Sequence, residues 1–163
     1  MIRILLFFIG LSLASISFAH VMMSEWTPYI HEKYGFAMLA PVHMQMDETD
    51  IGDGWVELTA NLKGIEFIAL VKMDSQATQA EIETYGERLT AISTDVWLLV
   101  DEGETAGWTW FRVVSASMDN NAIIGVYGVG PKGSYFVLAK TTDEDFRVHL
   151  AAYQHWSESI RIE

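Results

Sequence analysis

Five histidines and eight methionines, in a chain of 163 residues without cysteine, are the side chains that could hold a soft metal ion. His20 stands apart, because cleavage of a leader just before it would join a free α-amine to its own imidazole, a pair that chelates copper. A second histidine, from His31, His43, His149 or His155, would have to be brought beside it by the fold. Met22-Met23 and His43-Met44-Gln45-Met46 add thioethers suited to Cu(I), although methionine also fills irregular gaps in apolar cores. The soft-metal candidates are therefore His20, His43, Met44 and Met46. For a hard cation, Asp47, Glu48, Asp50 and Asp53 crowd a stretch that also holds Gly52 and Gly54, and Ca²⁺ takes such oxygens. An EF-hand loop begun at Asp47 needs a glutamate at its twelfth position, where Leu58 stands. A solvated acidic loop is the simpler expectation.

Catalytic motifs break down one by one. His31-Glu32 opens a zinc-protease helix signature whose second histidine would fall at Gly35. Gly128, Gly130 and Gly133 match GxGxxG, but Pro131 sits inside the motif and a strand follows where a helix must present its N-terminus to phosphate. There is neither a cysteine nucleophile nor a nucleophile elbow. His149 falls on an apolar stripe and reads as a hydrogen-bonded core residue. The expectation is no catalytic residue and no cofactor. The remaining candidate is aromatic: Trp108 and Trp110 at alternate positions of a strand, then Arg112, with Tyr127 and Tyr135 extending the same surface. Left open, that surface is a groove for an apolar peptide or small ligand; covered, it is core.

The positioning elements begin after a leader. Met1-Ile2-Arg3, an apolar run from Ile4 to Ile16 and the small residues of Ser17-Phe18-Ala19 have the form of a secretory signal over 1–19, with cleavage before His20. An uncleaved anchor is the alternative, against which the run is short for a membrane span. One domain over 20–163 is expected. Without cysteine an exported chain has no disulfides and no lipid-modified cysteine after its signal. A net charge of −12 repels phosphate backbones and anionic lipid, which argues against nucleic-acid and membrane-surface partners.

Residues 20–33 read as an irregular arm, with Trp26, Pro28, Tyr29 and Ile30 packing it down. A strand follows over 34–40, ended by Pro41, then an acidic loop over 44–54. Alternation over 55–60, a turn at Asn61-Leu62-Lys63-Gly64 and a return over 65–73 predict a hairpin. Thr78 and Glu81 form a capping box ahead of Ile82, Tyr85, Leu89 and Ile92 at helical spacing. A strand over 96–100 and a turn over 101–107 lead into a meander over 108–118, 123–129 and 135–140, apolar on both faces. Its turns contain Asn120-Asn121 and Gly130-Pro131-Lys132-Gly133. A last helix opens at Thr142, with acidic residues at its positive end and Phe146, His149, Leu150, Tyr153 and Trp156 on one side. The fold class that follows is α+β, a mainly antiparallel sheet flanked by two helices in an α/β/α sandwich.

The Tyr34-Gly35-Phe36 strand closing on Leu39-Ala40-Pro41, the hairpin, the amphipathic helix, the meander from Gly107-Trp108 and the helix from Asp143 to Trp156 resemble the PsbP/DcrB-like superfamily. The resemblance covers most of 20–163 by layout and implies a small sandwich used as a binding or assembly module. The expected function is an exported, non-catalytic module that engages a protein partner in the cell envelope, periplasmic or secreted, as a monomer or weak dimer. The alternative is a periplasmic protein binding copper or calcium.

Overall fold

The computed structural model describes residues 25–163, and the hydrophobic alternation of two central strands explains its architecture. In β5 (Ile65–Met73), Phe67, Ala69 and Val71 face one apolar cluster while Ile68 and Leu70 face a second; in β9 (Gly133–Thr142), Tyr135 and Val137 face the first while Phe136 and Leu138 face the second. Strands buried on both sides need a cover on each. They lie at the middle of a seven-stranded sheet of order β3-β4-β5-β9-β8-β7-β6. The other members are β3 (Asp47–Gly52), β4 (Trp55–Leu62), β6 (Leu98–Gly103), β7 (Trp110–Met118) and β8 (Asn121–Gly130), and every neighbouring pair is antiparallel.

Helix α1 (Gln79–Thr90) covers the second cluster with Ile82 and Tyr85. Thr78 caps it as expected, its hydroxyl accepting from the Glu81 amide at 3.2 Å. The reciprocal half of the box is absent, because the Glu81 carboxylate accepts instead from Lys72 Nζ at 2.7 Å and Trp55 Nε1 at 3.3 Å. A 3₁₀ turn over Thr94–Val96 then shortens the strand expected at 96–100 at its start, and the strand runs on to Gly103.

Gly86 lies on the sheet side of α1, where a Cβ would sit 2.7 Å from Phe136 Cε1 and 2.8 Å from Trp97 Cη2. In an open helix Gly→Ala gains about 1 kcal/mol, but overpacking against two rings costs about 1–3 kcal/mol. Gly86→Ala is expected to destabilise the fold by up to about 2 kcal/mol. A urea midpoint that rises instead would show that the helix can lift off the sheet at no cost.

The first cluster has a compound cover. A three-stranded sheet of β1 (Thr27–His31), β2 (Phe36–Ala40) and β10 (Arg161–Ile162) packs there with α2 (Asp143–Val148) and α3 (Leu150–Ser157). The α+β sandwich of the sequence reading is therefore present, with four corrections of detail. The arm expected over 20–33 forms β1, because its backbone pairs with β2 along the whole of Thr27–His31. The acidic loop expected over 44–54 contains β3, an edge strand whose carboxylates remain exposed while its backbone pairs with β4. The terminal helix breaks at His149, whose φ of −115° leaves the helical range. Leu150, expected on the covering side, is consequently 41 % exposed. No helix among the described residues is long and apolar enough to cross a membrane. The leader over 1–19, His20 and Met22-Met23 lie outside the described residues.

Candidate functional site

Three of the five residues read as a ligand surface meet at one place. Arg112 and Trp110 lie on the α1 side of β7, and Tyr127 of β8 stands directly opposite Arg112. The Trp110 ring meets the Tyr127 ring edge-on at 6.2 Å. In front of them is an open cleft of about 770 Å³, bounded by Gln79 at the start of α1, Glu102, Gly103 and Glu104 at the end of β6, and Trp110, Phe111 and Arg112 on β7.

The other two residues are elsewhere. Trp108 belongs to the first cluster on the opposite face, packed edge-on against the fully buried Tyr135 at 5.9 Å. The sequence reading placed Trp108 and Trp110 on one side by strand alternation. Alternation fails because β7 starts only at Trp110. Ala106 and Gly107, both at positive φ, turn the chain just before it, and the Trp108 amide donates to Thr105 O within that turn.

The charged groups of the cleft are one guanidinium and its neighbouring carboxylates. Arg112 Nε is 3.3 Å from Glu102 Oε2, a pairing set by the β6–β7 register. Behind them Glu83 Oε1 accepts from Tyr127 Oη at 2.5 Å and from Gln79 Nε2 at 2.8 Å. Burial, and then the Glu83 carboxylate, push the Tyr127 hydroxyl far above the usual tyrosine value, so it stays protonated and serves as a donor. The lining contains no histidine, serine, threonine or cysteine that could act as nucleophile or base. What it offers is two aromatic faces, a paired guanidinium and an excess of carboxylate.

Gln79, Glu83, Glu102 and Glu104 were not singled out in the sequence. Glu83 reads there as a solvent-facing position of the helix, and 101–107 reads as a turn. The available signal was the acidic run Asp101-Glu102 facing Arg112 across a short connection, which an extended β6 would have aligned.

The metal candidates are not gathered by the described part of the chain. His43 is exposed at a φ of 65° in a turn, while Met44 is buried and Met46 half-buried in the first apolar cluster. His149 lies 3.5 Å from Asp145, and His155 is exposed beside Glu158. Among the described residues no three His, Asp or Glu side chains converge on a common point. The acidic group expected to suit Ca²⁺ is strung along β3 and its turn, with Asp53 accepting from Tyr85 Oη at 2.6 Å.

His31 has a consequence of its own. Its ring stacks on Phe36 at 5.4 Å and lies 5.1 Å from Tyr34, with Nδ1 buried and without a hydrogen-bond partner. Burial lowers its pKa, against the opposing pull of Glu48. A base whose folded pKa is depressed supports the fold fully above its unfolded value of 6.5, and that support is lost as pH falls through the folded value. Denaturation between about pH 8 and 5 is expected to show stability falling below pH 6.5, with a shallower fall in His31→Phe. Identical slopes for the two proteins would remove His31 from the account.

Comparison with known proteins adds the fold. No family model and no curated protein sequence matches the chain. The solution structure of cyanobacterial PsbP (CyanoP) from Synechocystis sp. PCC 6803 superposes with a TM-score of 0.54 at 9 % identity, covering 85 % of this chain and 93 % of that one. LpqN of Mycobacterium tuberculosis, described as involved in cell envelope biogenesis, is similar over 84 % of this chain and 90 % of its own, at 16 % identity and a TM-score of 0.42. The chain thus has a PsbP-like fold, as the layout of its strands and helices indicated.

Proposed function

We propose that this chain with a PsbP-like fold is an exported, non-catalytic binding module that holds a protein partner in the cell envelope, itself a monomer or weak dimer. The observation that carries the reading is the cleft between α1 and the β6–β7 edge, with aromatic walls, a carboxylate-rich rim and no histidine, serine, threonine or cysteine in its lining. Such a lining can orient a ligand through stacking and charge, and it offers no hydroxyl, thiol or imidazole of the kind a Ser-His or Cys-His acyl transfer uses. The leader-like start of the sequence and the absence of cysteine are consistent with work outside the cytoplasm without disulfides.

The test is site-specific photo-crosslinking in the protein's own host. A photoreactive side chain at Glu104, on the rim, is expected to give a discrete adduct, and one at Lys63, exposed in the β4–β5 turn, is expected to give none. The recovered protein is expected in the envelope fraction with a mass beginning at His20. Equal labelling from both positions, or none from Glu104, would overturn the proposed site, and a cytoplasmic product retaining residues 1–19 would overturn the export.

A further inference from the structure

The two edges of the seven-stranded sheet are unlike. On β3, exposed charge runs along the strand at Asp47, Glu48 and Asp50, a device by which proteins keep edges from pairing, and each edge has one register slip, between Asp50 and Gly52 on β3 and between Leu99 and Asp101 on β6. On β6 three successive aliphatic residues, Leu98, Leu99 and Val100, are 68 %, 51 % and 46 % exposed. Among the described residues no strand pairs with the outer side of β6. An aliphatic run on an open edge is a template for an added strand.

The register shows what that strand would meet. Leu99 pairs with Val114 and Glu102 with Arg112, while Val100 is the extra residue of a bulge. Val114 and Arg112 lie on the α1 face of β7, so the bulge brings Leu99 and Glu102 to that same face although they are three positions apart. A strand laid along β6 therefore passes over an aliphatic side chain and then over the rim of the cleft, where Glu102 and Glu104 flank Trp110. Asp101 pairs with Val113 on the opposite face, and Arg112 is already paired with Glu102. The charge complement is cationic, and a second copy of a chain carrying −12 is the wrong complement.

We infer that β6 is a strand-addition site for an extended segment of a partner protein, in which aliphatic residues adjoin lysine or arginine at the end that meets Glu102 and Glu104. The backbone of that segment pairs with β6, an aliphatic side chain on its α1 face lies beside Leu99, and its cation enters the cleft at Glu102 and Glu104. The inference rests on the binding-module reading and gives it a partner chemistry.

The probe is a synthetic decapeptide of alternating valine and threonine with two lysines at its N-terminal end, for antiparallel addition, or at its C-terminal end, for parallel addition, each with a matched peptide carrying two glutamates. One of the lysine peptides is expected to slow amide exchange across Leu98–Gly103 and to bind at least about tenfold more tightly than its glutamate match. Glu102→Lys with Glu104→Lys, which reverses the charge of the rim, is expected to reverse the preference between the two peptides. Equal affinity within both pairs, binding without protection of β6, or no binding of either lysine peptide would overturn the inference. Protection of β6 in the peptide-free protein with a dimeric mass would also overturn it, in favour of a second copy. An adduct at Glu104 from the host with β6 unprotected would sink strand addition and leave the binding module standing, whereas loss of both would remove both.

Discussion

Replacing Trp156 by alanine is expected to lower the free energy of unfolding by about 3–5 kcal/mol. Trp156 of α3 is fully buried, lies 5.7 Å from Phe67 of β5, and donates its Nε1 hydrogen to Leu39 O of β2 at 2.9 Å. One side chain therefore ties the terminal helix to both sheets. Alanine removes the apolar area, leaves a cavity where three elements meet, and strips a carbonyl of its donor. Against a typical domain stability of about 5–15 kcal/mol, that is a large fraction of the whole. Trp156→Phe retains most of the volume and loses the hydrogen bond, so it is expected to fall between the two proteins. Urea denaturation decides the matter, and a loss below about 1 kcal/mol for the alanine variant would mean that α3 contributes little to the fold.

Gly107→Ala is expected to cost about 2–4 kcal/mol and to act on the C-terminal strand first. Gly107 has a φ of 85°, and a Cβ there would lie 1.9 Å from Ile162 O and 2.8 Å from Ile162 C. No rotamer relieves a clash with backbone, so β10 must move. β10 is held by the Ile162 amide donating to Ala106 O at 3.0 Å and the Glu163 amide donating to Gly35 O at 2.8 Å. Both amides are expected to exchange faster in the variant, while those of α1 keep their protection. Gly64→Ala separates the two costs, because Gly64 has a φ of 84° with nothing within 4 Å of its Cβ position. It is expected to lose only about 1 kcal/mol for the left-handed backbone. Equal losses at the two sites would show that the contact with Ile162 is relieved without cost.

The elements that could be read in advance were those specified by neighbours in the chain. Thr78 with Ile82 and Tyr85 marked α1, the Asn61–Gly64 turn marked the β4–β5 hairpin, and double-faced alternation marked β8 and β9. β1 and β3 escaped because their stability lies in pairing. Pro28 demotes TPYIH despite its Thr, Tyr and Ile, DETDIG is rich in acidic residues that strands disfavour, and pairing with β2 and β4 decides both. The candidate site was half legible: Trp110, Arg112 and Tyr127 were in view, whereas Glu83, Glu102 and Glu104 reach the cleft only through the packing of α1 and the register of β6.

By itself the sequence determined the α+β layering, because two-faced apolar strands must be covered on both sides and the only amphipathic helices lie at places that let them do so. It also determined the acidity that limits the partners and the absence of disulfides. Tertiary structure decided the faces and the edges. Trp108 left the side of Trp110 because Ala106 and Gly107 turn the chain at positive φ, a turn pinned by Ile162 from the far end of the molecule. Leu99 joined Glu102 on one face because a single bulge at Val100 shifts the register of β6. Both outcomes depend on contacts between residues distant in the chain, which no local pattern encodes, and together they separate a buried tryptophan from an open sheet edge.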